Sequence, residues 1–168
     1  DAEGAALVTA GGDKWSPDGD VFLEHYGGRP DDPSVDCAVA LNAALAKHDV
    51  VHLRGGSIYY FSRPVIVRPR VQILGPGAAN ADTLLAAGAP KLVFRGSGAA
   101  CFTTSDLNSM FNHAKFQGFS LRCEGEYSWM FSFGRCVQVS WVDISATAVG
   151  MATGGIRGKK ANVEDSAW

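Results

Sequence analysis

Three carboxylates, Glu124, Glu126 and Asp143, are the residues whose type best suits acid–base chemistry. Cleavage of a glycosidic bond needs two carboxyl groups, about 5 Å or about 6.5–9.5 Å apart, with one held protonated. Asp143 is expected to face outward, and Glu124 and Glu126 fall in the bend after the preceding strand, so the three could converge on one outer face. Ordinary solvated surface is the simpler account of them. Arg122, Tyr127, Trp129 and Trp141 form a second set. Aromatic rings cover the flat C–H faces of sugars, and an arginine fork pairs with acidic ones. The same aromatics suit a subunit contact or the core, since Trp is highly buried on average. A third set, Asp31-Asp32, could hold a cation. A Gly/Pro/Asp turn that leads into a helix explains it without one.

No metal site or cofactor is expected. Four cysteines (Cys37, Cys101, Cys123, Cys136) and four histidines (His25, His48, His52, His113) are dispersed and contain no CxxC pair. Buried free thiols are the expected state, which suggests folding in a reducing compartment and leaves later export or release open. There is no Ser-His-Asp order and no phosphate-binding loop. Gly154–Gly158 lacks the flanking strand and helix of a dinucleotide fingerprint and reads as a turn. Net charge is −2 with 15 dispersed Lys and Arg, so no basic stripe offers itself to nucleic acid. No apolar run approaches the ~20 residues of a membrane span, and membrane insertion is not expected.

The elements that must position these residues begin at Tyr26–Gly77. A Gly27–Pro33 turn leads into an apolar helix expected over Ser34 to His48, with Asp32 as its cap and Pro33 in its first turn. Cys37, Leu41, Ala44, Leu45 and His48 give it one apolar face. Short strands are expected at Val50–Leu53, Tyr59–Phe61, Val65–Val67 and Val71–Leu74, broken by glycine and proline. Val21–Leu23 is a further strand candidate.

A repeat emerges downstream. Phe116 aligns with Val139, Phe119 with Val142, Leu121 with Ile144 and Phe133 with Ile156, each 23 residues apart. With one residue inserted, Val139 is echoed by Val163. Within Val137–Ile144 the inward residues are expected to be Val137, Val139, Val142 and Ile144, with a bend between Val139 and Val142. Repeats of this length point to a solenoid, whose levels stack about 4.8 Å apart and share one interior. The helix could lie across the open first level as a lid. The expected organisation is therefore a linker or arm over 1–20, an entry strand, turn and helix over 21–49, and the first coils of a solenoid over 50–168. The chain fits one domain at 168 residues. Its start at Asp1 reads as processed or cut from something longer, and Ala161–Trp168 reads as a further coil left incomplete.

At this point a resemblance can be named. Tyr26–Asp32, the helix, Val50–Gly56, Ile58–Tyr60, Val71–Gly77 and Thr83-Leu84-Leu85 together resemble the N-terminal signature of the pectate-lyase-like superfamily. More narrowly, the order is similar to that of bacteriophage tailspikes and related polysaccharide depolymerases. Arg54 stands where that signature usually has proline. The resemblance covers roughly residues 21–145. It implies an all-β fold, a right-handed parallel β-helix with a short N-terminal capping helix. It also implies a homotrimer, on a virion tail or extracellular, that binds and in its complete form possibly depolymerises a bacterial surface polysaccharide. Catalytic carboxylates in that family usually lie further along the helix or between subunits, so none is carried over. Two alternatives stay open: a secreted polysaccharide lyase or glycoside hydrolase of the same fold, and a non-catalytic structural or adhesion module of a virion.

Overall fold

The computed structural model describes residues 19–77, 88–149 and 154–158. The expected arm, Trp15 within it, the run Thr83–Leu85 and the segment Ala161–Trp168 lie outside the described residues. Phe22 makes a single bridge to His52, and a 3-10 turn follows at Leu23–Tyr26, so the expected entry strand is reduced to one residue pair.

Helix α1 spans Cys37–Lys47, three residues later at its start than the sequence suggests. The carboxylate of Asp32 is used locally instead. It accepts from the backbone N–H (3.0 Å) and the hydroxyl (2.6 Å) of Ser34, closing a turn two residues long. Asp36 then supplies the cap, accepting from the Ala38 N–H at 3.0 Å. Cys37, Ala38, Leu41, Ala44 and Leu45 form a buried face. That face packs across the first three strands.

Those strands are β1 (Val50–His52), β2 (Ile58–Phe61) and β3 (Val65–Val67). The next level holds β4 (Gln72–Leu74), β5 (Lys91–Phe94), β6 (Ser97–Thr104) and β7 (Met110–Asn112). A third holds β8 (Lys115–Cys123), β9 (Glu126–Phe133) and β10 (Arg135–Val137), and β11 (Ser140–Ala148) and β12 (Gly154–Gly158) lie beyond it. The described strands pair in parallel, each with its counterpart one level away. The first half of β8 lies on β4, its second half on β5, and β11 runs along both halves. A second sheet has the order β3–β6–β9–β12. The chain is thus an all-β fold of stacked parallel sheets with one α-helix among the described residues.

The core is a set of columns between the sheets. Phe61 stacks on its register partner Phe94 with centroids 4.6 Å apart, and Phe102 on Phe131 at 5.2 Å. Like side chains stacked level on level bury one another and leave no gap between rungs.

The register corrects the sequence alignment. Phe116 lies opposite Trp141, Phe119 opposite Ile144, Leu121 opposite Ala146, and Phe131 opposite Ile156. The repeat is therefore 25 residues rather than 23. Strand side chains alternate with period 2, so a slip of two residues keeps every side chain on its face. Apolar pattern cannot distinguish the two alignments, whereas the bends can. His113 (φ 53°) and Gln138 (φ 52°) have left-handed backbones, as do Gly118 (φ 71°) and Asp143 (φ 52°). Each pair is separated by the observed repeat. Val142, placed inward by the shorter alignment, is exposed beside the Asp143 bend, and Trp141 takes the inward position. Gly154–Gly158 is a strand on β9 rather than a turn. Its pairing is supplied by a strand 25 residues earlier, which overrides the local preference of glycine.

Candidate functional site

In β2, β5 and the second half of β8, alternation sends Tyr59, Phe61, Leu92, Phe94, Leu121 and Cys123 into the core. Ile58, Tyr60, Lys91, Val93 and Arg122 take the opposite face, with Tyr60, Val93 and Arg122 in one column. Arg95 and Glu124 follow directly at the ends of β5 and β8. The guanidinium of Arg95 lies over the Tyr60 ring, 4.2 Å from its centroid. Its Nε donates to Glu124 Oε2 at 3.0 Å. Arg122 Nε lies 2.8 Å from Glu124 Oε1 but off the N–H axis, so this contact is an ion pair rather than an aligned hydrogen bond.

Two open depressions flank the Tyr60–Arg95 stack. One, of about 150 Å³, is lined by Lys91, Val93, Arg122 and Glu124 beyond Tyr60 and Arg95. The other, of about 140 Å³, lies toward α1 and is walled by Pro33, Val35, Asp36 and Ser62. Both fall below the ~300–1,000 Å³ of pockets that enclose a small molecule. Together they form a shallow furrow suited to a surface contact with an extended ligand.

Asp36 fixes the α1 side of this furrow. Its Oδ1 accepts from the Ala38 and Ser62 N–H groups at 3.0 and 3.1 Å. Its Oδ2 accepts from the Ser62 hydroxyl at 2.6 Å and Arg63 Nε at 2.7 Å. Burial opposes ionisation of Asp36, but the donors from Ser62, Ala38 and Arg63 outweigh it and hold the carboxyl below its ordinary value. That is the opposite of what a general acid needs.

Of the residues singled out from sequence, the structure brings Arg122 and Glu124 together. Glu126 is exposed at the start of β9, opposite Ser97 and past the bend from Glu124. Asp143 stands at the bend of β11 level with Gly118, six residues before Glu124 along β8. At about 3.3 Å per residue the two lie on the order of 20 Å apart along the strand direction. The three carboxylates therefore do not converge. Tyr127 is buried against Phe94, and burial pushes its hydroxyl above the ordinary phenol value. Trp141 is half-buried and stacks on Phe116. Trp129 is half-buried on β9 between Ala100 and Gly154. Asp31 serves the turn: its carboxylate accepts from the Ile58 N–H, and its own N–H donates to the Ile58 carbonyl.

Sequence reasoning missed Tyr60, Lys91 and Arg95. Their alternation with Tyr59, Phe61, Leu92 and Phe94 was a usable signal for which face they take. The register that places Arg95 beside Tyr60 was not, because the spacing of paired residues is 33 between β2 and β5 and 29 between β5 and β8. All four cysteines are buried free thiols. Among the described residues no cluster of three or more His, Cys, Asp or Glu is arranged to hold a metal ion, and no helix is long and apolar enough to cross a membrane.

No protein-family model matches the chain. Among solved structures, it is similar to tailspike protein 3 of bacteriophage CBA120, with 18% sequence identity and a TM-score of 0.42. The match covers 87% of this chain and 34% of that protein, so the chain spans about a third of the length of that tailspike.

Proposed function

We propose that this chain is the first part of a right-handed parallel β-helix of tailspike type, and that its outer furrow binds a bacterial surface polysaccharide. The observation that carries the reading is the Tyr60–Arg95–Glu124–Arg122 cluster between two open depressions. An aromatic ring fixes a planar cation, a second cation stands one level beyond, and the surface is too shallow to enclose a small molecule. Polysaccharides present repeated hydroxyls and flat apolar faces along an extended chain, which such a surface matches. The signature at Tyr26–Gly77 supports assembly as a homotrimer on a virion tail. Binding rather than cleavage is the activity we assign to the furrow, because its two carboxylates, Asp36 and Glu124, are engaged by cations and backbone donors.

The test is a binding screen of the chain against capsular and O-antigen polysaccharides, with Arg95→Ala as the control. One polysaccharide should be retained by the native chain and lost by the variant at unchanged melting temperature. Retention of no polysaccharide, or retention indifferent to Arg95→Ala, overturns the reading. A monomer in light scattering of the complete gene product overturns the trimer.

A further inference from the structure

We infer that the depression beside Arg122 seats the carboxylate of an acidic sugar, and that Glu124 is the internal anion that keeps the seat in shape while it is empty. The inference rests on the glycan-binding reading above and adds the charge of the ligand. Three cations, Lys91, Arg95 and Arg122, line this depression against one carboxylate, Glu124. The chain as a whole carries a net charge of −2, so the positive excess is local. Among the described residues, Glu124 is the one carboxylate that either guanidinium reaches. Both contacts are made through Nε, which leaves the terminal edge of each fork directed at other acceptors.

The pairs are also exchangeable. The Arg95 side chain is 46% exposed and that of Glu124 29%. Ion pairs at such exposure are weak, so an incoming carboxylate can replace Glu124 without a large loss. Arg95 stays flat meanwhile, because the Tyr60 ring holds it independently of Glu124. Ile58, Tyr60 and Val93 supply the apolar lining against which the carbon face of the sugar ring would lie. An oxyanion from another source, such as a free carboxylic acid, shares the chemistry of the carboxylate but not the apolar contact.

The experiment is calorimetric titration of the chain with a short oligogalacturonate, the same oligomer after carboxyl reduction, and sodium acetate. It is run at about 50 mM and about 500 mM salt. The oligogalacturonate should bind at least about tenfold more tightly than the reduced oligomer and weaken at high salt. Arg122→Gln should lose about tenfold, whereas Glu124→Gln should gain severalfold because the competing carboxylate is gone. Thermal melts of both variants identify any loss that comes from misfolding. Equal binding of the reduced oligomer sinks the acidic-sugar inference and leaves the glycan reading standing. No binding of either oligomer by the native chain and by Glu124→Gln defeats both. Acetate binding as tightly as the oligomer reduces the seat to a simple anion site and overturns the sugar assignment. Loss of binding in Glu124→Gln at unchanged melting temperature overturns the role given to Glu124.

Discussion

Replacing Asp36 tests how the helix, the first level and the furrow wall are joined, because this one carboxylate serves all three. Asp36→Ala removes the cap of α1, which costs about 1 kcal/mol. It also leaves the Ser62 N–H and hydroxyl without their acceptor, at about 1 kcal/mol each. The Arg63 side chain is 61% exposed, so its ion pair adds at most about 1 kcal/mol and is best discounted. The expected loss is about 3 kcal/mol in urea denaturation, or about 6–12 °C in melting temperature for a chain of this size. Asp36→Asn keeps one acceptor oxygen for the cap and should lose about 1 kcal/mol. The two variants also separate by pH. The folded-state carboxyl lies below its ordinary value of 3.8, so the stability it confers is fully present above that value. It is lost as pH falls through the lower folded-state value. The native chain should therefore lose stability more steeply below about pH 4 than Asp36→Asn, which has no proton to take up there. An Asp36→Ala loss under about 0.5 kcal/mol, or identical acid limbs for native chain and Asp36→Asn, would refute the reasoning.

Two further outcomes follow from the backbone and the core. Gly118 has φ 71°, and a Cβ there would sit 2.1 Å from the Gly75 carbonyl oxygen, so Gly118→Ala combines a left-handed backbone with a clash that no side-chain movement relieves. It should cost more than about 1 kcal/mol in chemical denaturation, and a neutral result would show that the bend is not tightly stacked. The four thiols are buried, and burial raises those of Cys37, Cys101 and Cys136 above the ordinary thiol value. A colourimetric thiol reagent should therefore react with them only on unfolding, and rapid reaction of the native chain would contradict the packing.

Some of this fold was legible because local chemistry decided it. Cys37, Leu41, Ala44 and Leu45 share a helix face wherever the helix begins, so its existence and its buried side could be read. Its start could not, because Asp32 and Asp36 are both good caps, and the choice was made by Ser62 and Arg63, 26 and 27 residues beyond Asp36. The existence of a repeat was legible, since Phe and Val recur inward at each level. Its length was not, because two registers that differ by two residues present the same faces. The site suffered most from this. Arg122 and Glu124 were visible as a cation and a carboxylate close in sequence. Tyr127 and Trp141, chosen for the same aromatic chemistry, are packed inside. In a stack of levels, aromatic residues are the material of the core columns, and residue type alone cannot tell a column from a furrow.

The same ambiguity makes the bends part of the site. Tyr60 belongs to the first level, Arg95 to the second and Glu124 to the third, so the cluster exists only when three levels stack in one register. Across those levels it spans about 10 Å. A slip of two residues between β5 and β8 would leave Leu92 and Phe94 facing apolar partners and keep the core filled. It would also move Arg122 and Glu124 by about 7 Å relative to Arg95, and the ion pairs would vanish. Hydrophobic burial therefore stabilises the stack without fixing the site. The left-handed positions at His113, Gln138, Gly118 and Asp143 do fix it, since a backbone bend stacks only on another bend. Substitutions there should perturb ligand binding at residues they never touch, through register rather than contact.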